Sequence, residues 1–352
     1  MTRELKHLDV PGLHAIMDGY YAFQFLYAAV EFDLFTLLGK DGLTREEIIE
    51  RLQIAEHPAR ILLLGCVSLG LIRKEGSRYI CSEVAAATLT ADSPWDQRSL
   101  VRFGHEISYR PMWWFCEALR KGTNEGLREF AGTSPTLYGR LATNPAAERI
   151  FHEMMGTVTT IVAERFVEVA DMSKGGRLLD VGGGAATNAI ALARRWPALE
   201  VTIFDLPSVS ASAQEAIEAA GLRGRVGTMS GDCFVDEFPT CDCLLFAHFL
   251  EIWSAEQIRE LLVKAHRALV PGGKIYLIDL FQEDDETGPA SAAIASAYLL
   301  TLATGGGMAY TLNEYSHWLR DAGFSVLRRM PLTAAHGLII AIRDGNLGQS
   351  SP

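Results

Sequence analysis

Between Leu178 and Trp196 the chain reads LLDVGGGAATNAIALARRW, three glycines set behind an apolar run and ahead of a helical pattern. Gly182 and Gly184 let a backbone turn and come close to a ligand, and the helix that follows offers its free N–H groups to an anion. That much suits many nucleotide ligands. The discriminating residue is Asp180, at the strand's end two positions before Gly182. Its carboxylate repels a pyrophosphate but suits a ligand with a cationic amino-acid end, such as S-adenosylmethionine, whose ammonium and sulfonium are both positive. Two further acids follow at strand ends. Asp205 in TIFDLP, beside Leu206, is placed to take both ribose hydroxyls, as in other nucleoside-binding sheets. Asp232 in SGDCF can accept from the adenine amine, with Phe234 or the Cys233 backbone beside the ring.

Those acids need a scaffold that delivers strand ends side by side. GRLLDVGG, EVTIFDL, RVGTMSGD, CDCLLFAHFL, GKIYLIDLF, FSVLRRMP and HGLIIAIRD read as strands, most of them separated by helical patterns. This is the grammar of an α/β, doubly wound, Rossmann-like sheet over residues 171–345, with ligands at the carboxyl ends of its first strands. The last strand follows its predecessor without a helix, so it should pair antiparallel. In CDC, alternation sends Cys241 and Cys243 to one face as small core groups rather than metal ligands.

Residues 1–100 read differently. GYYAFQFLYAAVEFDLFTLL is apolar all round and needs cover on every side, which a second subunit supplies. Thr44 and Glu47 form a capping box, the helix from Pro58 stops near Gly70, and LIRKEGSRYICSE turns at Glu75 and Gly76: a winged-helix pattern. Such modules often enter DNA, but the helix Pro58–Gly70 carries Arg60 as its only charge and reads as buried. Residues 101–170 continue as linking helices, with the aromatic run YRPMWWFCEALRKG; most of their apolar residues are core, and a few can wall a pocket for a flat aromatic guest.

With 352 residues, 49% apolar content and a formal charge of -11, the chain can bury a large core but offers nucleic acid no basic footprint. No segment reaches the length of a membrane span, and the first residues carry charges where a signal peptide needs an apolar run, so a cytoplasmic protein is expected. Six scattered cysteines fit reduced thiols, and no His and Cys set has zinc spacing; no metal is expected.

Nearly the whole chain resembles the small-molecule S-adenosylmethionine-dependent methyltransferases that include caffeic acid O-methyltransferase and bacterial polyketide O-methyltransferases. The likeness runs through the helical front, LLDVGGGAA, FDLPSV, GDCF, ALVPGGKIYLID, LATGGGMAYTLNEY and LNEYSHWLRDAGF. It implies a homodimer intertwined through an N-terminal helical and winged-helix domain, S-adenosylmethionine turned over to S-adenosylhomocysteine, and a small phenolic acceptor of secondary metabolism. It also places Phe151 and Met155 in the acceptor wall, with His105, Trp113 or Trp114, and Tyr310 as further candidates.

The likeness breaks where proton chemistry belongs. Family members that methylate oxygen carry a KHxxHDW-like segment whose second histidine is the general base. Here the segment is AHFLEIW: Ala247 replaces the lysine, His248 is retained, Glu251 takes the base position and Ile252 replaces the aspartate. The family's two supporting glutamates fall near Asp279 and Ala309. Since a phenol ionises near 10, its methylation gains from a base. Glu251 fills that role if burial among Phe249, Leu250 and Trp253 raises its pKa. His248 is the other candidate, though its family position lies against the adenine. O-methylation is the family default. C-methylation of the phenolic ring is the alternative, and a third reading is a non-methylating member that uses its ligand for rearrangement or binding.

Overall fold

The structure, a computed structural model, describes residues 8–344. It divides into two compact units between Glu106 and Ile107, so the helices after that point belong to the second unit rather than standing as a segment of their own.

In the first unit, α1 (Val10–Met17), α2 (Gly19–Glu31) and α3 (Leu34–Leu38) precede a short strand, β1 (Leu43–Thr44). The long apolar run is two helices, broken where Asp33 adopts a left-handed conformation (φ 51°). Then come α4 (Arg45–Leu52), α5 (Glu56–Ser68), β2 (Ile72–Glu75), β3 (Arg78–Cys81), α6 (Glu83–Thr88) and α7 (Arg98–Phe103). Thr44 and Glu47 close the capping box at the start of α4. The hairpin pairs Glu75 with Arg78, so its loop is Gly76–Ser77, one residue later than the sequence suggested. Gly65 lets α5 approach α2: a Cβ there would stand 2.3 Å from the Phe25 ring.

The helix expected to be buried is so on one face alone. Ala59, Leu62, Leu63 and Cys66 of α5 are in the core, whereas Ile61 and Leu64 are 47% and 69% exposed. The sequence does not separate these faces because Ile61 and Leu64 on the exposed side are as apolar as the buried residues. The exposed face carries a single cation, Arg60, so it has little to offer a phosphate backbone.

The second unit opens with short helices, α8 (Phe115–Lys121) and α9 (Leu137–Leu141), then the long α10 (Pro145–Val169). A seven-stranded sheet follows. Its strands are β4 (Gly176–Val181), β5 (Leu199–Asp205), β6 (Val226–Ser230), β7 (Cys241–Ala247), β8 (Leu269–Leu280), β9 (Phe324–Pro331) and β10 (His336–Arg343). Between them lie α11 (Thr187–Arg195), α12 (Pro207–Ala219), α13 (Ala255–Ala268), α14 (Ala290–Tyr298) and α15 (Leu312–Asp321). The order β6-β5-β4-β7-β8-β10-β9 is parallel through β8, and β10 lies antiparallel to both β8 and β9. The chain reverses direction across the sheet beside β4, which puts a ligand crevice at the carboxyl ends of β4 and β5.

Alternating side chains build two core layers. Leu179, Val181, Phe204, Leu244, Phe246 and Leu277 pack under α13 and α15, while Leu178, Val201, Ile203, Leu245 and Tyr276 pack under α10, α11 and α12. Burying one such side chain is worth about 1.5–3 kcal/mol, so these layers hold the strand ends in place. Cys241 and Cys243 do not share a face as expected: Cys241 joins the first layer and Cys243 the second. A register shift between them uncouples the alternation. All six cysteines are free thiols.

Candidate active site

The glycine turn sits at the end of β4. Gly182 has φ +74°, and a Cβ on it would lie 2.1 Å from the Phe249 ring, so only glycine fits under that ring. Gly184 (φ +54°) and Ala186 (φ 68°) complete the turn into α11, whose first N–H groups receive no side-chain cap. Asp180 lies beneath, 1% exposed, with neither carboxylate oxygen hydrogen-bonded. Burial, with the neighbouring charge of Asp205, pushes its carboxyl up to about 7. A buried, unpartnered carboxylate is costly unless a cation completes it. Asp205 accepts from the Gly184 N–H (2.9 Å) and the Leu206 N–H (2.7 Å), tying the end of β5 to the glycine turn. Burial raises its pKa, opposed by those two N–H groups and by His152 of α10. Leu206 itself is exposed.

Asp232 is exposed, and its Oδ1 accepts from the Phe234 N–H at 2.9 Å. The Asp232 N–H in turn donates to Asp236. Lys264 of α13 donates to the Cys233 and Asp236 carbonyls, so one ammonium clamps both sides of this loop. Phe234 meets Trp253 edge-on at 4.8 Å, and Phe249 lies 6.1 Å from Trp253. These aromatic surfaces and the three acids fit an adenosyl ligand with a cationic end.

Among the described residues no three His, Cys, Asp or Glu side chains converge as a metal site, and no helix is long and apolar enough to cross a membrane.

The second cluster is acidic. After β7 the chain enters a short turn, Leu250–Ile252, that buries Glu251 to 7% exposure. Glu251 Oε2 accepts from the Leu280 N–H at 3.0 Å. Asp279, fully buried at the end of β8, accepts from the Tyr315 hydroxyl at 3.3 Å through Oδ2, while its Oδ1 has no hydrogen-bond partner. Burial pushes Glu251 up to about 7, against the pull of the Leu280 N–H. Asp279 rises well above the carboxylate range because of burial and then the Glu251 charge. Two carboxyls in one dry site do not both ionise readily, so Asp279 keeps its proton while Glu251 releases its own near neutral pH, where a base works best.

Tyr138 of α9 and Tyr298 at the end of α14 are neighbours, and burial, with the charge of Glu251 among the further causes, holds both phenols above their ordinary range. Phe151 of α10 packs edge-on against Tyr138 at 5.7 Å. Met155, half-buried and one helical turn on, shares the face of Phe151.

The other sequence candidates lie elsewhere. The His248 ring, held by a left-handed backbone (φ 53°), meets the His336 ring edge-on at 4.8 Å. Burial, then His336, pushes it down to about 3, so it is a neutral and very weak base. Tyr310 is core: it is 6% exposed, its hydroxyl donates to the Trp253 and Gly306 carbonyls, and its ring packs on Trp318. Trp113 is 73% exposed. Trp114 donates to Glu129 under the Arg128 guanidinium. His105 belongs to the first unit, stacked on Tyr27 at 3.5 Å and bonded to Gln24.

Residues 114–325 match the O-methyltransferase domain and residues 15–91 the O-methyltransferase dimerisation domain. The chain belongs to the O-methyltransferase family. It is an S-adenosylmethionine-dependent methyltransferase of secondary metabolism, with a Rossmann-like sheet and an N-terminal helical dimerisation domain. An L-tyrosine C(3)-methyltransferase of Streptomyces lavendulae is 38% identical over 96% of this chain and 93% of its own. A 3-hydroxy-5-methyl-1-naphthoate 3-O-methyltransferase of Streptomyces sahachiroi is 34% identical over 93% and 94%. Among solved structures, the S-adenosylmethionine-dependent methyltransferase SibL in its apo form superposes with TM-score 0.83 at 37% identity, covering 96% of this chain and 100% of that one. Its sequence relatives thus include one enzyme named for methylating a carbon of tyrosine and one named for methylating an oxygen of a naphthoate.

Proposed function

We propose that this methyltransferase methylates a small hydroxy-aromatic acceptor at the ring carbon next to its hydroxyl, with Glu251 as the proton acceptor. The observation that carries this reading is the Glu251–Asp279 pair: a carboxylate on a carboxylic acid stands where oxygen-methylating relatives have an imidazole. Its likeness to the L-tyrosine C(3)-methyltransferase points the same way.

Bound over the Gly182–Gly184 turn, S-adenosylmethionine supplies a methyl group on a cationic sulfur that is already activated. The protein has the remaining tasks. Asp180 faces the ligand's cationic end, Asp205 its ribose and the Asp232–Phe234 loop its adenine. Glu251, closed to bulk water, takes the acceptor's hydroxyl proton. Asp279 supports it from below by keeping its own proton, so the site need not hold two adjacent anions. The resulting phenolate carries negative charge on oxygen and on its ortho carbon, and Phe151 and Met155 form the wall that decides which of them faces the donor.

A second reading, O-methylation of the same hydroxyl, is favoured by the likeness to the naphthoate 3-O-methyltransferase. It needs the same base. We also infer a homodimer, since Leu8, Val10, Ile16 and Met17 of the first unit are each at least 60% exposed and residues 15–91 match a dimerisation domain. To test the carbon reading, the protein is incubated with L-tyrosine and related phenols and a 13C-methyl donor, and the label is located by NMR. A methyl carbon attached to a ring carbon supports it; label on oxygen alone refutes it.

A further inference from the structure

The turn that carries Glu251 is gripped by a segment far along the chain, Thr304–Tyr310, and every grip is on a carbonyl. The Thr304 hydroxyl donates to the Ile252 carbonyl, and the Tyr310 hydroxyl to that of Trp253 at 3.1 Å. Gly307 comes closest: a Cβ on it would stand 2.3 Å from the Glu251 carbonyl oxygen and 2.7 Å from that of Ile252. The segment is itself tied down. At Gly305 (φ +80°) a Cβ would stand 2.8 Å from the Asn124 backbone nitrogen, and the Asn124 side-chain amide donates to the Ala303 carbonyl at 3.4 Å and the Pro135 carbonyl at 2.9 Å. A residue larger than glycine at 307 must therefore move the turn or break this anchorage. Among the described residues the Glu251 carboxylate accepts one hydrogen bond, from the Leu280 N–H, so its aim depends on the main chain beneath it. A packing side chain tolerates a small shift of that main chain. A proton acceptor does not, since a misplacement of about 1 Å can cost a hundredfold in rate.

We propose that Thr304 and Gly307 are positioning residues for proton transfer: by fixing the main chain of Glu251 and Ile252 they hold the Glu251 carboxylate on the Leu280 N–H, where it meets the acceptor's hydroxyl. The inference rests on the reading of Glu251 as proton acceptor and deepens it. In the step itself the acceptor's O–H bond breaks, its proton goes to a Glu251 oxygen and the electron pair stays on the acceptor's oxygen. Thr304 and Gly307 exchange no proton. Removing the Thr304 hydroxyl frees the Ile252 carbonyl, and alanine at 307 pushes the Glu251 carbonyl away. Either change parts the carboxylate from the one N–H that favours its ionised form.

The test follows the Glu251 carboxyl directly and needs no acceptor. Full-length protein labelled with 13C at the glutamate carboxyl carbons and loaded with S-adenosylhomocysteine is titrated by NMR between about pH 5 and 9, and Glu251→Gln identifies the resonance. Thr304→Val keeps the shape of threonine without its hydroxyl, and Thr304→Ser keeps the hydroxyl. The midpoint should rise by at least about 0.5 pH unit in Thr304→Val and Gly307→Ala and stay within about 0.2 unit of wild type in Thr304→Ser. Unchanged S-adenosylhomocysteine affinity reports an intact fold; if Gly307→Ala fails to fold, the two Thr304 variants decide. A Thr304→Val midpoint equal to that of wild type overturns the proposal, even with a lowered melting temperature, because a merely structural contact behaves that way. An equal shift in Thr304→Ser overturns it too. Turnover of Glu251→Gln judges the underlying reading separately: near-normal turnover removes the proton-transfer role whatever the NMR shows. Lost turnover with an unmoved Thr304→Val midpoint removes the positioning claim alone.

Discussion

Lowering the pH from 7 to 5 should weaken S-adenosylhomocysteine binding about 50-fold, because the group that meets the ligand's ammonium is being protonated. Asp180 is buried, has no hydrogen-bond partner on either oxygen and sits beside Asp205, which together push its carboxyl up to about 7. A bound ammonium favours the ionised form, so binding releases a proton wherever the free protein holds one. The competent, ionised fraction is about 1% at pH 5 and about one half at pH 7, and the apparent dissociation constant scales inversely with it. The window closes above pH 7, where the ligand's own α-amino group starts to deprotonate near 7.7–8.0. Calorimetry in two buffers of different ionisation heat at pH 6 measures the proton released; close to one is expected. Asp180→Asn should bind weakly and without this pH dependence. The stability sign is also fixed: with a raised folded-state pKa, Asp180 favours the ligand-free fold fully below about 4, and that contribution is lost as pH rises through about 7. Ligand-free Asp180→Asn should therefore melt higher than wild type at pH 8, with the gap narrowing toward pH 5. A dissociation constant that stays flat from pH 5 to 7 with no proton released would mean that Asp180 is not the ammonium's partner.

Glu251→Gln should lower turnover about 100-fold or more. Wild-type kcat/KM should rise through about pH 7 as the buried pair deprotonates, and the variant should lose that rise; near-normal turnover with an unchanged profile would return Glu251 to a structural role. Gly182→Ala places a methyl 2.1 Å from the Phe249 ring at a left-handed backbone position. It should destabilise the fold by about 1–3 kcal/mol in denaturant titration and weaken donor binding, and wild-type behaviour on both counts would remove Phe249 from the donor site. Light scattering at micromolar concentration should give twice the chain mass, and a single-chain mass would refute the dimer.

The sheet, and the placement of Asp180, Asp205 and Asp232 at or just after its strand ends, were legible because their signals are local. Strand periodicity, a glycine turn and an acid at each of three strand ends occupy short stretches of chain. The proposed proton-handling pair was half legible: Glu251 and Asp279 stand out against the family segment, yet they are brought together only where the turn after β7 meets the end of β8. Tyr138 and Tyr298 gave no signal, since a tyrosine on a short helix reads as packing until its distant partner is known. Tyr310 misled for the same reason. Its glycine-rich neighbourhood suggests a pocket, but a hydroxyl bonded to the Trp253 and Gly306 carbonyls makes it a core strut. The orientation of His248 was not legible either, because a left-handed backbone, invisible in sequence, sets its ring against His336. The β7 register shift that parts Cys241 from Cys243 is equally a matter of strand pairing, which alternation alone does not encode.

Phe249 lies over Gly182 while Glu251, two residues on, takes the Leu280 N–H. One three-residue stretch of chain thus touches the glycine turn with one side chain and carries the proposed proton acceptor on another. For anyone redesigning this enzyme, position 251 is the place to exchange proton acceptors, because its anchor is a backbone N–H that any acidic or amide side chain of similar reach can use. Position 249 is not exchangeable on those terms, since its ring and the glycine beneath it fit as a single unit. A library that varies the two together would discard most of its members for lost donor binding before new chemistry could be seen; varied at 251 alone, it would keep the donor and sample the base.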